Sequence, residues 1–265
     1  MKHKISIIGA GNLGLSLAKG LVKSGKYSPN QFYLSRRRIN KLSSFKTEGY
    51  QVTSDNIVAA KNAELVIIGV LPQKINSVLS ELKQTLKPNQ LLISLVSGVS
   101  ISEIQKIIGI EIPIIRAMPN TAIAIRESMT CISTTKEWEK RLIEVEELFN
   151  LVGETAVINE EKMTSATALC ACGIAFFLRA IRAASQGGNE IDFHASEALK
   201  MAAQTAKGAA GLLLTNGSHP EDEIDKVTSP KGCTIAGLNE MEHNGFSSAF
   251  IKGITISANK AKELY

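Results

Sequence analysis

The chain is poor in cysteine, proline and aromatic residues. Its 265 residues include four cysteines, seven prolines and one tryptophan. So few cysteines exclude a disulfide-dense scaffold, and a chain this long buries a core without staples. Cys170-Ala171-Cys172 lacks the spacing of a dithiol redox motif, and no histidine stands at zinc-finger distance. No metal is therefore expected. Cys131, Cys170, Cys172 and Cys233 read as small apolar packing in a reducing compartment.

Long hydrophobic runs are also missing. The longest uncharged stretch, 163–178, lies between Lys162 and Arg179. It is too short and too rich in Ala, Thr and Cys to cross a bilayer, so no membrane partner is expected. The apolar run after Met1-Lys2-His3-Lys4 is too short for a secretory signal, and a cytoplasmic protein is the expectation. Thirty Lys and Arg against 25 Asp and Glu leave a net charge of +5, spread along the chain. The one tight basic cluster, Arg36-Arg37-Arg38, is too short for a nucleic-acid tail, so no nucleic-acid partner is expected.

What is present is an alternation of strand-like and helix-like segments. Strands are expected near 5–8, 31–35, 50–52, 65–70, 91–95, 113–116, 129–133 and 153–158. Helices are expected at 12–24, 39–48, 72–86 and 102–108, and around Trp138. Residues 65–70 are apolar on both faces, as in a strand covered on two sides. The alternation predicts an α/β fold, a doubly wound parallel Rossmann-type sheet spanning 1–158. Beyond it, 159–265 reads as all-helical, with helices at 160–185, 193–214, 235–243 and 247–264. Residues 163–181 carry one charge, and 195–214 keep only a narrow polar stripe of Glu197, Lys200, Gln204 and Lys207. Helices with so little polar face need cover on most sides, so a homodimer with interleaved helices is expected.

Gly9-Ala10-Gly11-Asn12-Leu13-Gly14 follows the first strand and opens the first helix. Gly9 allows the tight turn, Gly11 lets a pyrophosphate approach the backbone, and Gly14 permits close helix–strand packing. The free N–H groups at the helix start, from Asn12 and Leu13 onward, face the anion. The second strand ends in Leu34-Ser35-Arg36-Arg37-Arg38, without the carboxylate an NAD ribose requires. Ser35, Arg36 and Arg37 suit a 2′-phosphate, so NADP(H) is the expected cofactor.

Further strings complete the pattern. They are Val70-Leu71-Pro72-Gln73, Ser94-Leu95-Val96-Ser97-Gly98-Val99, Arg116-Ala117-Met118-Pro119-Asn120-Thr121, and the stretch from Val227 to Leu238 containing Ser229-Pro230-Lys231-Gly232-Cys233-Thr234. In this order the chain resembles pyrroline-5-carboxylate reductase over essentially its whole length. The resemblance implies an NADPH-binding domain followed by a helical dimerisation domain. It implies that Asn56 and Val70-Leu71-Pro72 line the adenosine side of the cofactor, with Ser97 and Asn120 nearer the nicotinamide. It implies that Ser229, Lys231, Gly232, Cys233 and Thr234 surround a small cyclic imine, that the partner subunit contributes, and that Glu160 falls near the substrate.

Imine reduction needs a hydride donor, an oriented iminium and a seat for the carboxylate. The 229–234 string precedes a helix, so its N–H groups can cradle that carboxylate. The Thr234 hydroxyl can hydrogen-bond the ring nitrogen, and Ser229 can assist. An iminium already carries its proton, so no strong general acid is required, and His3, His194, His219 and His243 lie outside the matching strings. The match departs from the family at several positions. Lys231 stands where the family has glycine, Leu71 where it has lysine and Ala122 where it has proline. Cys170-Ala171-Cys172-Gly173-Ile174-Ala175 replaces a Ser-Gly-Ser-Gly-Pro-Ala run. A reductase of another cyclic imine and a non-catalytic NADP-binding protein stay open as alternatives.

Overall fold

The computed structural model describes residues 3–265. The chain divides into two compact units, one of residues 1–172 with 257–265 and one of residues 173–256. The division falls at 172/173, later than the sequence boundary at 158, and the C-terminal residues belong to the first unit.

The first unit alternates strands and helices: β1 (Ile5–Ile8), α1 (Asn12–Lys23), β2 (Phe32–Ser35), α2 (Ser43–Thr47), β3 (Gln51–Thr53), α3 (Asn56–Lys61), β4 (Leu65–Ile68), α4 (Ile75–Leu82), β5 (Leu91–Ser94), α5 (Ile101–Ile108), β6 (Ile114–Met118), β7 (Ser128–Thr134), α6 (Glu139–Asn150) and β8 (Gly153–Val157). The strands form one sheet in the order β3-β2-β1-β4-β5-β6-β7-β8. Every neighbouring pair is parallel except β6 and β7. The connection between those two is a 3₁₀ turn, Thr121–Ile125, too short for the crossover of roughly a dozen residues that a parallel pair needs. The expectation of a parallel sheet therefore holds for the Rossmann portion and fails at this strand.

Alternate strand residues enter opposite layers. Ile5, Ile7, Leu65, Ile67, Leu91 and Ile93 pack with Leu17 and Leu21 of α1 and Phe149 of α6. Ile8, Val66, Ile68 and Leu92 pack with Ala59 of α3, Leu79 of α4 and Ile104 of α5. Each fully buried aliphatic chain contributes about 1.5–3 kcal/mol. Burial on both faces explains why β4 is a continuous apolar run rather than an alternating one.

Several element boundaries differ from those the sequence suggests. Helix α3 went unseen; it is short, and its signal is Asp55, whose carboxylate accepts from the N–H groups of Ile57 at 2.8 Å and Val58 at 3.1 Å. Trp138 stands in a 3₁₀ turn ahead of α6 rather than at a helix centre. Pro72 opens a 3₁₀ turn, Pro72–Lys74, and α4 follows from Ile75.

The remaining helices are α7 (Met163–Ala166), a wide π-helical segment Thr167–Cys172, α8 (Gly173–Glu190), α9 (Ala195–Asn216), α10 (Pro220–Lys226), α11 (Cys233–His243) and α12 (Phe246–Ala261). The unforeseen α10 carries the marks of a helix start, Pro220 at its first position and Glu221, Asp222 and Glu223 in its first turn. Glu160–Glu190 is a helical run of 31 residues whose most apolar 18-residue stretch has a mean hydropathy of 1.6, long and apolar enough to cross a membrane by length and composition alone. Within the second unit, Phe250 gathers Phe176, Phe177 and Phe246 at ring separations of 5.3–6.3 Å. A groove of about 580 Å³ between α8 and α9 is lined by Phe177, Ala180, Ala184, Met201 and Thr205. Phe177 is 58% exposed, Leu214 87% and Ile256 66%.

Candidate functional site

The sheet order reverses between β1 and β4, and the expected cofactor residues gather where these strands end. In open α/β sheets ligands bind at this carboxyl edge, at the switch point. Gly9 leaves β1 at a φ of +80°, and a Cβ there would lie 2.4 Å from Val70 Cγ1. The N–H groups of Gly9 and Ala10 both donate to the Ser35 carbonyl, at 3.1 and 2.8 Å. A Cβ on Gly14 would lie 2.7 Å from Ile7 Cγ2, so α1 and β1 approach as closely as the sequence suggests. Gly11 differs: the nearest atom to a Cβ there is the Gly9 carbonyl oxygen at 3.8 Å. No protein packing demands glycine at this point, and the space above it is open to a ligand. Gly11 caps α1 without a side chain, so the first-turn N–H groups at Asn12, Leu13 and Gly14 keep their positive field for an anion.

Arg36 is half-buried and its Nη1 donates to the Ala10 carbonyl at 3.4 Å, which holds the guanidinium beside the glycine turn. Arg37 is exposed. Ser35 is buried and its hydroxyl donates to Asn56 Oδ1 at 2.6 Å, while Asn56 Nδ2 donates to Glu81 Oε2 at 2.9 Å. Ser35 and Asn56 thus join one chain of hydrogen bonds, and the cations at the end of β2 are the arginines. Glu81 lies on α4 and no local pattern in the sequence pointed to it. Leu71 is 70% exposed, with Val70 and Pro72 half-buried beside it. Together these groups fit a phosphorylated dinucleotide, with amides for the pyrophosphate and guanidinium groups for an additional phosphate.

Further along the edge, Ser97 Oγ donates to Met118 Sδ at 3.7 Å, and Gly98 turns the chain at a φ of +80°. Asn120 is fixed from three sides. Its N–H donates to Ser128 Oγ at 3.1 Å, its Oδ1 accepts from the Ala122 N–H at 2.9 Å, and its Nδ2 donates to the Cys170 carbonyl at 3.2 Å. Gln73 Nε2 donates to the Leu264 carbonyl at 3.4 Å and the Tyr265 hydroxyl to Asn76 Oδ1 at 3.0 Å, so the end of the chain packs on the start of α4.

Glu160 is tied to β6 through an ion pair with Arg116 that sequence reasoning missed. Its Oε1 accepts from Arg116 Nη1 at 3.2 Å and from the Ile101 N–H at 2.7 Å, so one oxygen of the Glu160 side chain, expected near the substrate, holds the first turn of α5. Arg116 is only 5% exposed, and its Nε has no hydrogen-bond partner among the described residues. Burial pulls the Arg116 pKa down, and the Glu160 carboxylate opposes that shift. Ser100 and Glu103 close a capping box on α5. The Ser100 hydroxyl and N–H both donate to Glu103 Oε2 at 2.7 Å, which holds the carboxyl below its ordinary 4.5.

The 229–234 string lies in the second unit. The Gly232 N–H donates to the Ser229 carbonyl at 2.9 Å, closing a turn in which Lys231 takes a φ of +59°. Left-handed backbone costs a residue with a side chain about 1–2 kcal/mol, which explains why glycine suits this position. Gly232 is needed for space, since a Cβ would lie 2.6 Å from Ser229 Oγ. It caps α11 without a side chain, so the first-turn N–H groups of Cys233 and Thr234 start a helix as the carboxylate seat requires. Ser229, Lys231 and Cys233 are exposed, and Gly232 and Thr234 are half-buried.

Two family profiles match the chain. Residues 4–98 match "NADP oxidoreductase coenzyme F420-dependent", and residues 160–264 match "Pyrroline-5-carboxylate reductase dimerisation". Pyrroline-5-carboxylate reductase 2 of Dictyostelium discoideum is 51% identical, across 98% of this chain and 92% of its own length. Pyrroline-5-carboxylate reductase 1 of the same organism is 50% identical across 98% of this chain, which spans only half of that longer protein. The crystal structure of Plasmodium falciparum pyrroline carboxylate reductase with NADP bound superposes with a TM-score of 0.90 at 25% identity, covering 99% of this chain and 98% of that one.

The Glu103 geometry carries a pH signature. Its folded pKa is lowered, so its stabilisation is present above the ordinary carboxylate value and is lost as pH falls through the folded one. Glu103→Gln keeps the capping geometry and removes the charge. It is expected to lower stability by about 0.3–1 kcal/mol at neutral pH, with the difference shrinking once the pH falls below the ordinary carboxylate value and vanishing below the folded one. Urea unfolding of both proteins across the acid range measures this, and a difference constant with pH would contradict the assignment.

Proposed function

The chain belongs to the pyrroline-5-carboxylate reductase family, and on that premise we propose that it reduces 1-pyrroline-5-carboxylate to L-proline, the last step of proline biosynthesis. The observation that carries the reading is the 51% identity to a curated reductase across 98% of the chain. NADPH supplies the hydride when bound. The amides at Gly11, Asn12 and Leu13 hold its pyrophosphate against the start of α1, and Arg36 and Arg37 take the 2′-phosphate. Val70, Leu71, Pro72 and Asn56 line the adenosine side, and Ser97 and Asn120 the nicotinamide side.

The first-turn amides of α11 receive the substrate carboxylate, and Lys231 adds a positive charge beside them. Thr234 orients the ring nitrogen, with Ser229 in support. Position and electrostatics are all that the chain contributes, because the iminium brings its own proton. The active form in this reading is a homodimer or a larger homo-oligomer. Its support is the family profile over 160–264 and the exposed apolar faces of α8, α9 and α12. A partner's helices cover the exposed apolar face of α8 in place of lipid, and a cytoplasmic setting agrees with four free thiols.

Incubation of the purified protein with NADPH and 1-pyrroline-5-carboxylate tests the reading. Loss of NADPH absorbance with formation of proline is the expected result. Turnover of other cyclic imines only, or NADPH binding without any turnover, would replace it. Arg36→Ala with Arg37→Ala is expected to weaken NADPH binding by tenfold or more, about 1.4 kcal/mol, while leaving NADH nearly unchanged. Titration calorimetry with both nucleotides reads this, and equal losses would remove the arginines from the phosphate site. Thr234→Ala is expected to cut kcat by about 10–100-fold at unaltered NADPH affinity. An unchanged rate would show that Thr234 does not touch the reacting ring.

A further inference from the structure

Two thiols that the proposed reaction does not use face each other. Cys131 Sγ on β7 and Cys170 Sγ in the π-helical segment stand 3.8 Å apart. Their settings are unequal. Cys131 is buried with Met118, Met163 and Ala166, whereas Cys170 is only half-buried. Of the two, Cys170 is the residue that keeps some contact with solvent.

The hydrogen bond between them divides their acidities. A hydrogen bond from Cys131 pulls the Cys170 thiol down to about 7, against the opposing effect of burial. The same bond, together with burial, pushes Cys131 up. The thiolate is the attacking species in disulfide exchange, so Cys170 is the attacking member of the pair. Closing to a disulfide requires a sulfur separation of about 2.05 Å. Cys131 is fixed within a strand paired on both sides, to β6 and β8. The wide turns of the segment bearing Cys170 can absorb the remaining approach.

We infer that Cys131 and Cys170 are a redox-convertible pair, joined in a reversible intrachain disulfide by low-molecular-weight disulfides such as oxidised glutathione. The Cys170 thiolate attacks one sulfur of glutathione disulfide, breaking its S–S bond and expelling one glutathione thiolate, which takes a proton from water. Cys131 then gives its proton to water, attacks the Cys170 sulfur and expels the second glutathione thiolate. Two cysteine thiols are oxidised, and one glutathione disulfide is reduced to two glutathiones. The Cys170 carbonyl also accepts from Asn120 Nδ2, so the segment bearing Cys170 is tied to a residue expected to face the nicotinamide. The inference rests on the sulfur geometry and stands apart from the identity of the substrate.

The test uses the full chain, reduced and then equilibrated in glutathione buffers of graded oxidised-to-reduced ratio. Free thiols are trapped by alkylation and the peptides mapped by mass spectrometry. In the oxidised samples two of the four cysteines are expected to escape alkylation. Their peptides should appear cross-linked through Cys131 and Cys170, lighter by two hydrogen atoms and separable with dithiothreitol. Cys131→Val should leave Cys170 carrying glutathione, because the resolving sulfur is gone. Continued alkylation of both residues at every ratio would overturn the inference, as would glutathione found on Cys233 or Cys172 alone. The wild-type map decides by itself should a variant fold poorly, and it is readable whether or not the protein reduces a pyrroline.

Discussion

One carbonyl organises the cofactor edge. Ser35 O accepts from the N–H groups of both Gly9 and Ala10, tying the turn after β1 to the end of β2. That bond fixes where the first amides of α1 point and sets the Arg36 backbone beside them. Arg36 then returns a guanidinium hydrogen bond to Ala10, closing the loop from the other side. Amide field and cationic charge are therefore positioned by the same short piece of backbone. A turn that must lie flat against Val70 while donating to β2 leaves no room for a side chain at Gly9.

A second constraint holds the opposite side of the edge. Arg116 is almost wholly buried, and such a charge is tolerated only where a partner and further hydrogen bonds meet it. Glu160 supplies the partner and at the same time holds the N–H of Ile101. β6, the start of α5 and the start of the helical run at 160 thus converge on one carboxylate. The loop bearing Ser97 and Gly98 lies just ahead of α5 and inherits its position from that junction. Partial pairing of Arg116 in low dielectric makes this a junction sensitive to any loss of charge.

Local signals were legible in the sequence, and distant ones were not. β1, β4 and β5 read clearly because both of their faces are buried, and the turn from Gly9 to Gly14 read clearly because strand, glycines and helix are contiguous. The Arg-rich end of β2 was legible for the same reason. The pairing of Arg116 with Glu160 was not, because 44 residues separate them and only the folded sheet joins them. Glu81 reached the end of β2 by the same kind of long-range placement, through Asn56. The antiparallel turn into β7 needed a judgement of connection length that an apolar run does not encode. The apolar character of α8 and α9 was visible from the start, and their exposed faces now agree with it.

Lys231 joins two properties that are usually separate. Its backbone occupies the left-handed region at the bend ahead of α11, while its side chain brings charge to the same place. A more permissive residue would relieve the bend and also loosen it, since the unfolded chain would then have more freedom to lose. Stiffness of the bend and local positive charge are thus vested in a single residue. Glycine at this position would alter both at once.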